Sequence, residues 1–534
     1  MKVIYLLRVF LYSLAKRRGS VFFSGWFNLF VIVAYAANGS SPTHNSVVFM
    51  PLHTYYVSPT GSDRNLGTSP HTAWATPRHK VECGDVIIAA AGSYARNQFG
   101  TNSWGEVSNC PSTRGGIDGR GGVYFAALLC AGPDITSCSV DGGRYEAVRV
   151  DASNWAIEGF IATQASTGNS ACFSATSETN ATLHHIAFIN DIAINCHYSG
   201  FNSYSWTSPG GVDQTAVVGA ISYNGSPSLG GGICSSGVSM IPVNGPDASF
   251  GAHIFVAGYF GYRNINSPSG AGCNTDGEGL IFDAWSCTKY SHQGVAEQNV
   301  WWQNGNAGFE VFPNCRENGD KAQIYVFNNT SYGNGEDPMY SGGSTGELYL
   351  NQILPTEDGG GYYKIYDNIL VANMATTGNN AKSHVYAAGV YLNNSNTHLV
   401  SINNNFFWQS NPGNSTSPGN PNTDVYVNGS HNKTSFPFGA NRYEDPGFAD
   451  PAGLPATPPN CAKYDNTTDC MNGGYQVAAH LTPRGDAVGI GYHPPGPCKS
   501  DPYFPVWLKG VVYLHWDGLG MRENSGLITK PCDM

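Results

Sequence analysis

The densest group of side chains able to do chemistry lies between Asp276 and Lys321. Asp276, Glu278, Asp283 and Glu310 supply carboxylates, and Lys289, His292, Arg316 and Lys321 supply cations or bases. Aligning Gly279-Leu-Ile-Phe-Asp283 on Gly308-Phe-Glu-Val-Phe312 puts Leu280, Phe282, Phe309 and Val311 on one face of two strands. Asp283 and Glu310 then share the other face. Positions two apart along a strand are about 6.6 Å apart and neighbouring strands about 4.8 Å, so the two carboxylates are expected roughly 8 Å apart on a diagonal. A gap of roughly 6.5 to 9.5 Å leaves room for the water of an inverting glycoside hydrolysis. Asp276, Glu278 and Asp283 could also hold Ca2+, a hard cation that takes several oxygen ligands. A lyase acting beside a uronic acid carboxylate needs a base and a positive charge to stabilise the anion. Lys289 or His292 would suit the first role, Arg316 or Ca2+ the second. Trp285, Tyr290, Trp302 and Phe312 would stack on sugar faces where they point outward, and are core where they point inward. The plain alternative is that the carboxylates are solvated surface groups, with Asp276-Gly-Glu-Gly serving only as a turn.

Other motifs carry less. Gly342-Gly-Ser344-Thr-Gly346 fits the GxSxG pattern but falls in a Gly/Ser turn, not a strand-to-helix elbow. The Gly115–Gly122 cluster lacks the Lys-Ser/Thr of a phosphate loop. His184-His185 and Cys196-His197 lack zinc-ligand spacing.

The elements that would position the acidic group repeat. Short runs of alternating apolar residues close on Asn or Gly: Trp155-Ala-Ile157-Glu-Gly-Phe160, His185-Ile186-Ala-Phe188-Ile-Asn190, His253-Ile254-Phe-Val256, Ile324-Tyr-Val326-Phe-Asn328-Asn329, Lys364-Ile365-Tyr-Asp-Asn368 and Val400-Ser-Ile402-Asn403-Asn404-Asn405. Each is a period-two strand ending in a residue that tolerates a tight or left-handed turn. Their spacing, often about 20 to 40 residues, is that of a solenoid. The Asn residues closing the strands are expected to form side-chain ladders along the coil.

Composition agrees. Only 12% of the 534 residues are charged, while 41% are hydrophobic and 66 are Gly, which excludes both disorder and a helical protein. Lys16-Arg17-Arg18, the apolar run from Val21 to Val33 and Ala34-Tyr-Ala36 have the order of a secretory signal peptide over 1–36. That run is shorter than a typical membrane span. Its removal takes away five positive charges and moves the net charge from −11 to about −16, a poor surface for nucleic acid. The fourteen cysteines form no CxxC pair, so an exported chain would spend them on disulfides. Cys130–Cys138, Cys461–Cys470 and Cys498–Cys532 are plausible local pairs.

After a Ser/Thr/Pro/Asn-rich linker over 37–53 comes Tyr55-Tyr-Val-Ser-Pro-Thr-Gly61-Ser-Asp63, followed by Gly84-Asp85-Val-Ile-Ile-Ala and Gly92-Ser-Tyr94. This stretch resembles the N-terminal cap and first rung of secreted right-handed parallel β-helix proteins, the pectin-lyase-like superfamily. The resemblance extends through Ala152–Phe160 and Asp276–Asp283 to Asp445-Pro-Gly-Phe448 and His480–Gly489, which look like that family's closing strand and tail. It implies an all-β, right-handed parallel β-helix over 54–450 and a loop-rich, disulfide-tied segment over 451–534 closing the solenoid. It specifies the fold better than the reaction, because the superfamily holds lyases, hydrolases, epimerases and binders.

Three functions are therefore expected, in this order: a secreted, monomeric polysaccharide lyase using Ca2+ and β-elimination; an inverting glycoside hydrolase using Asp283 and Glu310; and a non-catalytic glycan-binding protein. The first fits least well with a strongly negative surface, which repels a polyanion unless metal or local cations intervene. The partner in each case is a polysaccharide, with neither nucleic acid nor, after signal cleavage, membrane involved.

Overall fold

The structure is a computed structural model. It describes residues 51–100, 103–111, 123–131, 138–164, 170–177, 179–204, 210–223, 236–243, 245, 251–265, 276–283, 290–312, 322–335, 346–351, 362–372, 388–392, 400–409, 425–427, 430–431, 441–442, 444–448, 481, 503, 505–508, 512–516 and 521–525. The signal-peptide and linker expectations lie outside these residues, as do the pairs Cys461–Cys470 and Cys498–Cys532.

Three long sheets of 11, 10 and 10 strands wind through the chain, and successive turns of chain add one strand to each. A representative coil runs from Trp155–Glu158 in the first sheet to Phe160–Thr163 in the second and Phe173–Thr176 in the third. The next coil begins at Ile186–Ile189, paired in parallel with the strand one turn earlier from Trp155↔Ile186 to Glu158↔Ile189. The fold is thus a parallel β-helix. The one antiparallel pair within these three sheets is Val425–Val427 with Ser430–His431. No helix of the described residues is long and apolar enough to cross a membrane.

The repeated Asn/Gly punctuation has a backbone cause. At the corner between the first and second sheets, eight successive coils place one residue at positive φ: Gly159, Asn190, Gly219, Gly258, Gln298, Asn328, Asp367 and Asn404. An L-residue with a branched Cβ is strained there, whereas Gly, Asn and Asp tolerate it. The residue after it forms the expected ladder. Asn299 Nδ2 donates to Asn329 Oδ1 (3.0 Å), Asn329 to Asn368 (2.9 Å), Asn368 to Asn405 (2.9 Å) and Asn405 to Asn441 (3.1 Å). Each amide also donates to a backbone carbonyl of the preceding coil, so the buried corner leaves no side-chain amide idle. A second column, Asn264, Asn304 and Asn334, does the same at the corner leaving the second sheet.

Inward side chains fill one continuous core along the coil axis, including Ile157, Phe188, Val217, Val256, Ile324 and Ile365. At the N-terminal end, Trp74 stacks on Tyr55 (4.7 Å) and His79 (4.0 Å), and Asp63 accepts from the Ala75 and Thr76 amides. A Cβ on Gly61 would fall 1.9 Å from the Trp74 carbonyl, which is why the cap needs glycine there. Cys130–Cys138 is bonded as expected; Cys83–Cys110 and Cys172–Cys196 are two further disulfides, each joining segments separated by several strands.

The outer face of the first sheet is also apolar. Ala127, Ala156, Ala187, Ala216 and Phe255 are buried there together with Trp507 and Leu508 from the C-terminal segment. Trp507 Nε1 donates to the Ala252 carbonyl at 3.2 Å, and its ring meets His185 edge-on. Tyr503 packs against Tyr325 and Phe327 farther along. Phe448 and Leu481 cover the second sheet in the same way, beside Tyr262 and Trp302.

Candidate active site on the third sheet

The third sheet carries the acidic group. Leu280–Asp283 and Phe309–Phe312 are adjacent parallel strands in the register Leu280↔Phe309, Ile281↔Glu310, Phe282↔Val311 and Asp283↔Phe312. Leu280, Phe282, Phe309 and Val311 are in the core. Asp283 and Glu310 therefore lie on the outer face, as the alternation requires. The glycines that made the alignment visible are needed for packing: a Cβ on Gly279 would sit 2.6 Å from the Gly308 carbonyl.

The partner that the structure gives Glu310 is Glu278. Each side chain raises or lowers the other's titration, so the two carboxyls act as a pair. Asn306 Nδ2 donates to Glu278 Oε1 at 2.7 Å and to Glu310 Oε2 at 3.1 Å. Ser236 Oγ donates to Glu278 Oε2 at 2.5 Å, and Asn351 Nδ2 to Glu310 Oε1 at 3.3 Å. Both carboxyls are buried, at 0% and 3% exposure.

Burial holds Glu310 well above the usual carboxylate range, and the neighbouring Glu278 charge pushes it further. Burial also raises Glu278, but the donors from Ser236 and Asn306 pull it back. Both carboxyls are thus pushed towards the protonated form, Glu310 the further of the two. Asp276 is raised as well, by burial and then by Glu278 and Asp283. The Tyr198 hydroxyl is held protonated by burial and by the charges of Asp276 and Asp283, which places it beside the group. Sequence reasoning missed Tyr198, Ser236 and Asn351, because each comes from a different coil and none forms a motif.

Other expected site residues fall elsewhere. Tyr290 and Trp302 are fully buried. Tyr290 meets His292 edge-on inside the coil, and Trp302 packs beside Tyr262 under Phe448. Neither ring offers a face to a sugar in solution. Phe312 is half-buried on the outer face, opposite Asp283 in the register. His292 is at the corner leading into the first sheet, where its Nε2–H donates to the Gly245 carbonyl at 2.8 Å. Lys289, Arg316 and Trp285 lie outside the described residues.

Of the residues named for a metal, Asp276 and Asp283 are half-buried on the outer side of the group. Both oxygens of Glu278 already accept side-chain donors.

No family model matches the chain, and no characterised protein sequence does. Solved structures do match. A pectate lyase, Pel9A, is 14% identical over 77% of this chain and 87% of its own, with a TM-score of 0.35. A mannuronan C-5 epimerase A-module, AlgE4 from Azotobacter vinelandii, is 11% identical over 67% and 90%, at 0.32. XylC in complex with xylose is 10% identical over 74% and 87%, at 0.41.

Proposed function

We propose that the chain is a secreted enzyme that cleaves a polysaccharide by hydrolysis, with the acidic group of the third sheet as its active centre. The observation that carries this reading is the buried carboxyl pair Glu278 and Glu310, bridged by Asn306 and pushed by burial towards the protonated form. A carboxyl kept protonated near neutral pH is the general acid that glycosidic cleavage needs, and a second, ionised carboxylate on the same face is the base. Glu310 donates its proton to the glycosidic oxygen as the bond to the anomeric carbon breaks. Asp283 takes a proton from the attacking water, whose hydroxyl ends on that carbon. Glu278 and Asn306 hold the acid in place. Ideal strand spacing puts the backbone positions of Asp283 and Glu310 roughly 8 Å apart on a diagonal, a placement that suits inversion.

A second reading has its own support. Burial and then the charges of Glu278 and Asp283 raise Asp276, and burial and then the charges of Asp276 and Asp283 raise Tyr198, a crowding of negative charge that a divalent cation relieves. Ca2+ held by Asp276 and Asp283 would neutralise a uronate carboxylate, the requirement of a β-eliminating lyase.

The test is incubation of the mature protein with neutral and uronic-acid polysaccharides, with Ca2+ or with a chelator. New reducing ends without ultraviolet absorbance, insensitive to chelator, support hydrolysis. Chelator-sensitive formation of an absorbing unsaturated uronide transfers the assignment to the lyase. Binding without cleavage of any polymer overturns both.

A further inference from the structure

We propose that Asp213, His253 and His292 form a site for a borderline divalent transition cation such as Zn2+, separate from the acidic group and serving to pin three coils together. Asp213 precedes the first-sheet strand Thr215–Val218, His253 lies within Ala252–Ala257, and His292 precedes Gln293–Glu297. These strands belong to three consecutive coils. One ligand-capable atom from each residue lies within 4.8 Å of the other two. The three residues are 2%, 0% and 6% exposed.

Three further observations show a built site. First, His253 is placed by a bulge: Ala252 pairs with Gln293 but Ile254 pairs with Gly294, leaving His253 as the extra residue. Bulges of this kind re-aim one side chain. Second, a Cβ on Gly245 would lie 2.0 Å from Asp213 Oδ2 and 2.9 Å from the Asp213 Cβ, so glycine opens the space the carboxylate occupies. Third, Asp213 Oδ1 and His253 Nε2 are buried without a hydrogen-bond partner. Buried polar atoms are normally paired, and two such atoms in one cluster of potential ligands point to a missing partner.

The hydrogen bonds define which atoms converge. His253 Nδ1 and Asp213 Oδ2 face each other at 2.8 Å, so a cation bound between them takes the place of the Nδ1 proton. His292 Nε2 donates to the Gly245 carbonyl, so Nδ1 is the nitrogen it turns to a metal. Two imidazoles and a carboxylate form a nitrogen-rich donor set that favours Zn2+ over Ca2+ or Mg2+. The His253 and His292 rings are 3.7 Å apart and 8° from parallel, so their in-plane lone pairs run side by side. Capture of a cation tilts one ring and breaks the stack. Enclosure from solvent assigns the ion a structural task, in which binding and folding are coupled.

The test uses the full chain stripped with chelator and titrated with Zn2+ alone, then with Co2+ for its visible absorption. The expected result is one equivalent per chain and a raised melting temperature. His253→Asn and His292→Gln should each weaken uptake by more than about tenfold, while melting as cooperatively as metal-free wild type. Where a variant fails to fold, imidazole nitrogen NMR of the wild type replaces it, and Zn2+ should move the His253 and His292 resonances together. Absence of uptake, uptake unchanged in both variants, an equal response to Ca2+, or unmoved ring resonances each overturn the proposal. None of these readouts involves polysaccharide cleavage, so failure here leaves the hydrolase reading standing, and the reverse.

Discussion

Glu278 and Glu310, in successive coils, are bridged by the single side-chain amide of Asn306, and burial raises the pKa of both. An isolated buried carboxylate is costly, and a pair is tolerable only as acid plus base. The arrangement therefore stores a proton on the outer face of the coil.

Replacing Glu310 by Gln keeps the hydrogen bonds and removes the transferable proton. Cleavage should fall by about 10²-fold or more, the range of a lost general acid, while the circular dichroism spectrum stays unchanged. Retained activity in a reducing-end assay would remove Glu310 from the mechanism.

Asp191 gives a pH prediction. It occupies the corner column where later coils carry Asn. Burial raises its pKa well above 3.8 although the Phe160 amide donates to it at 2.8 Å. Above its unfolded value the folded chain binds more protons than the unfolded one, so its contribution is full at low pH and is lost as pH rises through the folded pKa. Asp191→Asn should abolish that slope and stabilise the protein at pH 7 by about 1 kcal/mol or more, as judged from urea unfolding across the pH range. A variant less stable than wild type at pH 7 would show that the charged form is accommodated.

Asn329 both accepts and donates along its column: it accepts from Asn299 and donates to Asn368 and to the Ala296 carbonyl. Asn329→Ala leaves several buried groups unpaired at once, and should cost about 2–4 kcal/mol in denaturant unfolding. A loss below about 0.5 kcal/mol would mean that water takes over the column.

Trp507→Ala removes a fully buried ring from the outer face of the first sheet. The expected loss is about 3–5 kcal/mol, with faster protease cleavage of the C-terminal segment than of the coil. Equal cleavage rates in variant and wild type would show that the segment is held by other contacts.

The coil was legible because its rules are local. Alternation set the strands, and the need for positive φ put Asn, Asp, Gln or Gly at each corner, so Leu280, Phe282, Phe309 and Val311 could be assigned inward from the sequence alone. The acidic group was legible in location and incomplete in pairing. Glu278 read as a turn residue and metal ligand, whereas its closest carboxyl partner is Glu310, an association that depends on Asn306 folding back between coils. The cluster of Asp213, His253 and His292 was invisible because its members are about 40 residues apart and one is aimed by a bulge. Tyr290 and Trp302 were left open between sugar stacking and core, and both are buried, because aromatic identity says nothing about which side of a strand faces water.

The C-terminal segment has a consequence for how the molecule comes apart. A solenoid bound only by neighbouring coils frays from its ends and unfolds in stages. Here Trp507 bonds to Ala252, 255 residues earlier, and meets His185, while Tyr503 reaches Phe327. A strap spanning that many coils ties their fates together, so they should open as one unit. The same strap raises the mean sequence separation of contacts and slows the final step of folding, because the coils must be in place before Trp507 has a surface to close on.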